Sequence, residues 1–226
     1  MRRFWTLILL ATVSLAGLSC TKQPAAQTAP KIESGDLLFV GIPMHYWDDS
    51  ITDAIAQATA AAGDTVNFIH TAILEVDPAG GIWVIDATLA HGVDRHPLDT
   101  MLADFRLKEG NTRTLRVMRL TDNRDAVRFV EQAKGMLGEG YDLYFKAANG
   151  LHYCTELVYD TYVDAAGKHL FESVPMNFKN KEGEMPAYWT KLFATLGEPV
   201  PQGQPGTNPQ MMIDSPQLIH VLDLNP

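Results

Sequence analysis

Cysteine is scarce in this sequence: its 226 residues hold two, Cys20 and Cys154. Two thiols cannot build the multi-bridge framework of a small secreted scaffold, nor the paired spacing of a structural zinc site. The metalloprotease pattern H-E-x-x-H is missing, and His91 and His96 stand five apart with Arg95 between them. No metal and no cofactor is therefore expected. A phosphate-cradling loop is missing too, since Gly80-Gly81 falls between strand-like runs and no helix follows it. Basic residues are in deficit, 18 Lys and Arg against 27 Asp and Glu, for a formal charge of −9. Such a surface disfavours nucleic acid and other polyanions as partners. The body also lacks internal repeats and low-complexity tracts.

What is present begins with a leader. Arg2 and Arg3 precede an apolar run from Phe4 to Leu18, too short and wrongly flanked to span a membrane. The run ends in Ala16-Gly17-Leu18-Ser19-Cys20, which resembles a bacterial lipoprotein box. That resemblance implies a signal peptide over residues 1–19 and lipidation at Cys20. An ordinary secretory leader cleaved nearby is the alternative, and either takes the protein across the inner membrane. The expected location is the bacterial cell envelope, by a lipid anchor in the membrane. Thr21 is not acidic, so the outer membrane is expected in a Gram-negative cell. Residues 20–33 read as a polar tether rich in Pro and Ala. Residues 34–226 are long enough for a single domain with a sizeable core.

The body mixes helices with antiparallel strands and shows no βαβ rhythm, an α+β pattern. Strands are expected over 35–41, 67–76, 82–87 and 114–120, with a hairpin loop at Asp77-Pro78-Ala79-Gly80-Gly81. Helices are expected over 50–62, capped by Ser50 and Asp53, and over 98–105. Another runs from Asp122 or Asn123 to Leu137, with Ala126, Val127, Val130, Ala133 and Leu137 inward. A helix follows over 187–196, then a long Pro- and Gly-rich loop over 199–216 and a last apolar stretch over 218–224.

Chemistry concentrates in His152-Tyr153-Cys154-Thr155-Glu156-Leu157-Val158. Leu157, Val158 and Tyr162 fit one buried helical face, which places Cys154 in the first turn. Unpaired amides and the positive end of the helix dipole favour thiolate there, the form that acts as nucleophile. The alternative is a small buried hydrophobe. A lipidated Cys20 leaves Cys154 without an intramolecular partner, which favours a functional thiol in an oxidising compartment. Of seven histidines, His70 is the best base: alternation sets it beside Ala72 and Leu74 on a rigid apolar strand. A hydrogen-bonded core histidine is the alternative. Asp86, a lone carboxylate in Trp83-Val84-Ile85-Asp86-Ala87, is the natural orienter on the facing strand. His91 is second choice for that role, and His96, beside Pro97 in a charged turn, reads as structural or surface. Tyr46 and Tyr153 are candidates for lining the site, and Glu156 for capping the helix.

Together, Gly35-Asp36-Leu37-Leu38-Phe39, the strand His70, Val84-Ile85-Asp86-Ala87 and Tyr153-Cys154-Thr155-Glu156-Leu157-Val158 resemble the YiiX/YebB-like cysteine hydrolases. These are circularly permuted members of the NlpC superfamily with a papain-like fold. The resemblance covers most of residues 34–165 and leaves the segment from about Pro175 onward unmatched. It implies an antiparallel sheet or barrel packed on the nucleophile helix, with Cys154 as nucleophile, His70 as base and a polar third residue at Asp86. Relatives commonly carry Glu where this chain has Asp86. The implied chemistry is acyl transfer to sulfur on a small peptide or acylated substrate. Murein peptides of peptidoglycan come first, lipid esters or amides second, and a non-catalytic binding lipoprotein is the third reading.

Overall fold

Alternating apolar runs become a six-stranded antiparallel sheet in the computed structural model, which describes residues 31–224 except 45, 47–49, 61–64 and 109–110. The leader and Cys20 lie outside the described residues. From the N-terminal side come β1 (Leu37–Pro43), α1 (Ile51–Thr59), β2 (Val66–Val76), β3 (Ile82–Thr88) and β4 (Gly92–Pro97). Next are α2 (Leu98–Asp104), β5 (Thr114–Leu120), α3 (Ala126–Lys134) and α4 (Cys154–Thr161). The chain ends through β6 (Val174–Pro175), α5 (Ala187–Leu196), β7 (Pro205–Gly206), α6 (Pro209–Ile213) and β8 (Leu218–Asp223). Strand order is β4-β3-β2-β1-β5-β8, while β6 and β7 pair separately. The fold is α+β, and the sheet is open, not closed into a barrel.

Strand alternation splits the core in two. Leu37, Phe39, Ile73 and Ile85 pack with Phe129, Leu157 and Val158 from α3 and α4. Leu38, Val40, Leu74 and Val84 pack with Met101 of α2. Burying each such side chain contributes about 1.5–3 kcal/mol. A third, aromatic cluster gathers Phe145, Tyr153, Phe178, Trp189 and Phe193 beside α5. Gly35 has φ +84°, and a Cβ there would meet the Ala126 Cβ at 2.6 Å. A glycine at this turn therefore lets α3 seat against the start of β1.

Three expectations need correction. β4 forms where a charged turn was expected, because its backbone pairs with β3 from Trp83↔Pro97 to Thr88↔Gly92. α3 starts after Asp125, so neither Asp122 nor Asn123 caps it; Asp122 accepts from the Arg124 side chain at 2.8 Å instead. Its inward stripe is Ala126, Phe129, Val130 and Ala133, while Val127 and Leu137 are 69% and 41% exposed. That stripe follows i, i+3, i+4, i+7, from which Val127 falls away. Finally, 199–216 is not one loop. Asn208 accepts the Met211 N–H at 2.8 Å and caps α6, with Pro209 as its first residue.

Candidate active site

Cys154 opens α4 behind an extended Tyr153, with φ −89° and ψ 168°. The first intrahelical bond runs from the Leu157 N–H to the Tyr153 carbonyl at 3.0 Å. The amides of Cys154, Thr155 and Glu156 therefore lie outside the helical ladder. Below the thiol the helix is fixed by fully buried Leu157, Val158 and Tyr162. Tyr162 stacks on Phe129 at 4.6 Å and donates its hydroxyl to the Gly35 carbonyl at 2.9 Å.

His70 sits on β2 at a bulge: Val40 pairs with His70, but Gly41 pairs with Phe68. Bulges re-aim a side chain. The β2–β3 ladder runs only from Ile73↔Ile85 to Val76↔Ile82, so His70 and Asp86 lie past its end, and α4 touches both strands. There His70 Nε2 lies 2.7 Å from Asp86 Oδ2, which leaves Nδ1 outside that bond, and Cys154 is near enough to act on the charge of the ring. The ring packs on Phe105 at 4.6 Å between centroids.

The second oxygen of Asp86 lies 3.0 Å from His96 Nε2. His96 is a buried member of this cluster, not a surface residue, and its position follows from the register that sets it opposite Val84. A hairpin reading across Leu89-Ala90-His91 would have found it. His91 itself is exposed at that turn and is not brought to Asp86.

The electrostatics follow from burial and pairing. Burial pulls the proton affinity of His70 down, but the Cys154 sulfur and the Asp86 carboxylate outweigh it and raise its pKa to about 10. Burial likewise pushes Asp86 up, and the bonds to His70 and His96 bring it down to about 2. Glu156 behaves differently. Burial, with Asp142 and Asp160 nearby, lifts it to about 8, so it is protonated at neutral pH. It accepts the Tyr153 N–H at 3.4 Å, a long bond at the start of α4.

Cys154 also lines a cavity of about 60 Å³. Tyr141, Phe145 and Tyr153 form one wall, Met176, Phe178 and Trp189 another, and Ile55 and Ala58 of α1 a third. Its lining includes no Asp, Glu, Lys, Arg or His. Tyr153 is held by the Thr207 N–H, which donates to its hydroxyl at 3.0 Å. Tyr46, by contrast, is buried with Leu38 and Val40 and is not brought to this cavity. Tyr141 and the whole C-terminal wall were missed from sequence. The aromatic and Met content of 171–193 was the available signal.

A protein-family model described as permuted papain-like amidase enzyme, YaeF/YiiX, C92 family, matches residues 31–222. The YiiX protein of Escherichia coli K12 is 30% identical over 94 residues, 42% of this chain and 46% of that protein. The matched segment thus spans less than half of that relative. A crystal structure of a protein described as metalloprotein YiiX, from Escherichia coli O157:H7, superposes with a TM-score of 0.64 at 25% identity. That superposition covers 86% of this chain and 98% of the other. The family match takes in the strands of His70 and Asp86, the helix of Cys154 and the C-terminal cavity wall alike. By that coverage, the chain belongs to the YaeF/YiiX family of permuted papain-like amidases.

Proposed function

We propose that the protein is a cysteine amidase cleaving amides of an uncharged, apolar acyl group. The carrying observation is the position of Cys154, between the apolar cavity on one side and the His70–Asp86 pair on the other. The Cys154 thiolate attacks the carbonyl, and His70 delivers a proton to the departing amine, leaving a thioester. His70 then takes a proton from water, which attacks the thioester and frees the acid. Asp86 holds the imidazole in the tautomer that points Nδ1 at sulfur. The Cys154 N–H at the head of α4 serves the oxyanion, where losing one donor typically costs about 3 kcal/mol.

Murein peptides carry carboxylates and ammonium groups, for which the cavity lining offers no charged partner. Burying an unpaired charge costs several kcal/mol, so an acyl chain suits this cavity better. The structural relative from Escherichia coli O157:H7 is described as a metalloprotein. Among the described residues no group of three or more His, Cys, Asp or Glu side chains is arranged to hold one, and Asp86 already spends both oxygens on imidazoles. The donor set does not fit an ion, and the steps above use side chains alone.

The leader motif supports an envelope lipoprotein anchored through Cys20. Partition into detergent, lost in Cys20→Ala, checks the anchor. For the reaction, purified protein is offered N-acyl amino acids of graded chain length alongside murein fragments. Cys154-dependent release from the acylated series supports the reading; release from murein alone overturns the substrate class.

A further inference from the structure

We infer that His96 is a positioning residue, a standing positive charge behind Asp86 that sets how readily His70 gives its proton to the leaving group. The inference rests on the cysteine-amidase reading and goes one residue beyond it.

His96 Nε2 lies 3.0 Å from Asp86 Oδ1, and its Nδ1 lies 3.3 Å from the Pro97 carbonyl oxygen. Both partners accept and neither donates. A neutral imidazole carries a single N–H, so satisfying both requires the doubly protonated ring. The surroundings agree. Asp86 faces the ring from β3 and Asp94 adds negative charge from β4 itself, and they raise its proton affinity although burial opposes them. His70 lies on the other oxygen of Asp86, across the carboxylate from this ring. Helix α2, packed on β3 and β4, turns Met101 inward and leaves Asp99 and Asp104 exposed.

The consequence concerns charge. A lone buried carboxylate would hold the His70 imidazolium tightly and make it a poor acid. With His96 protonated, His70 faces a nearly neutral carboxylate–imidazolium pair and releases its proton more easily. Acylation by an amide needs that release, because an amine leaves only once protonated. An activated ester does not need it. His96 should therefore matter for amides and hardly at all for such esters.

The test uses His96→Gln, which keeps an N–H for Asp86 and removes the charge, on the full mature protein. Expected are an amide kcat/KM about three- to tenfold lower at neutral pH, an unchanged kcat/KM for activated esters, which reports acylation alone, and a basic limb of the amide kcat/KM displaced upward. In the wild type, ¹⁵N spectra of labelled histidine should show both His96 nitrogens protonated at pH about 7.5, above the ordinary histidine value of about 6.5. A singly protonated His96 at that pH overturns the inference even if the variant fails to fold. Equal losses on amide and ester with an unmoved pH profile also overturn it, since they mark a merely structural role. Turnover that survives Cys154→Ala would instead defeat the cysteine reading, and the nitrogen spectra would still decide the state of His96.

Discussion

Two buried histidines flank Cys154, and they resemble each other closely. His70 approaches Asp86 at 2.7 Å and His152 approaches Glu139 at 2.6 Å, and both have raised proton affinity. The difference lies in the second nitrogen. His152 Nδ1 lies 3.3 Å from Asp160 Oδ2, at ion-pair distance though without hydrogen-bond alignment, so carboxylates face both sides of the ring. His70 gives one nitrogen alone to a carboxylate, and the other influence on its ring comes from Cys154. Nearness in sequence misleads here: His152 is two residues from Cys154 yet serves the walls of the loop. What makes a base is a partner on one side and a reacting atom on the other.

The sharpest way to break this comparison is to delete each ring. His70→Ala and Cys154→Ala should each lower kcat by about 10³-fold or more, and the double variant should add little, because the two act as one unit. His152→Ala should stay within about tenfold of wild type while losing about 1–3 kcal/mol of stability. Steady-state kinetics and urea melts read both; equal kinetic losses would erase the distinction.

Asp86→Asn comes next, with a kcat loss of about 10²–10⁴-fold from a disturbed tautomer. It should also reshape stability against pH. Asp86, held at about 2 against an ordinary 3.8, contributes stability that is full above that ordinary value and lost as the pH falls toward 2. His70, held at about 10 against an ordinary 6.5, contributes stability that is full below 6.5 and lost as the pH rises toward 10. These two contributions together should be level between those ordinary values and fall away on either side, and the variant should flatten both edges.

Glu156→Gln tests the His152 side. Glu156, lifted to about 8 against an ordinary 4.5, contributes stability that is full below 4.5 and lost as the pH rises through 8. Glutamine mimics the protonated acid, so the variant should gain about 1–3 kcal/mol over wild type at alkaline pH and match it in acid. A thermal melt at two pH values settles the point. Smallest of all should be His91→Ala: an exposed histidine in neither cluster should change stability by no more than about 0.5 kcal/mol and leave kcat unchanged.

Much of the site was legible because periodicity fixes faces. Alternation put His70 with Ala72 and Leu74, and a lone carboxylate in an apolar strand pointed to a buried partner. What alternation could not supply was the third strand of this sheet edge. Gly92-Val93-Asp94-Arg95-His96-Pro97 carries one aliphatic residue, Val93, and its strand conformation comes from pairing with β3, not from its own composition. His96 was lost with it. The cavity wall was illegible for another reason. Phe145 and Ala148 adopt positive φ, at 51° and 59°, in an irregular segment that no period describes. Asp142 organises that segment by accepting the Tyr144 and Lys146 amides at 2.8 and 2.7 Å. Met176, Phe178 and Trp189 reach the cavity only through the packing of α5 and the β6–β7 pair.

The chain order that places Cys154 after β1–β5 also dictates when the thiol can react. Synthesis proceeds from the N-terminus, and early segments begin to fold before late ones exist. His70, Asp86 and His96 are therefore made first, and Cys154, the proposed nucleophile, arrives at its proposed base on strands that can already have paired. A chain that led with its cysteine would instead carry the thiol unaccompanied through most of translation. The permuted order has its own hazard. Until α3 and α4 are made, the sheet face bearing Leu37, Phe39, Ile73 and Ile85 has no helical cover. A nascent chain stalled short of α4 thus combines a sticky surface with no nucleophile, and should be found insoluble and inert.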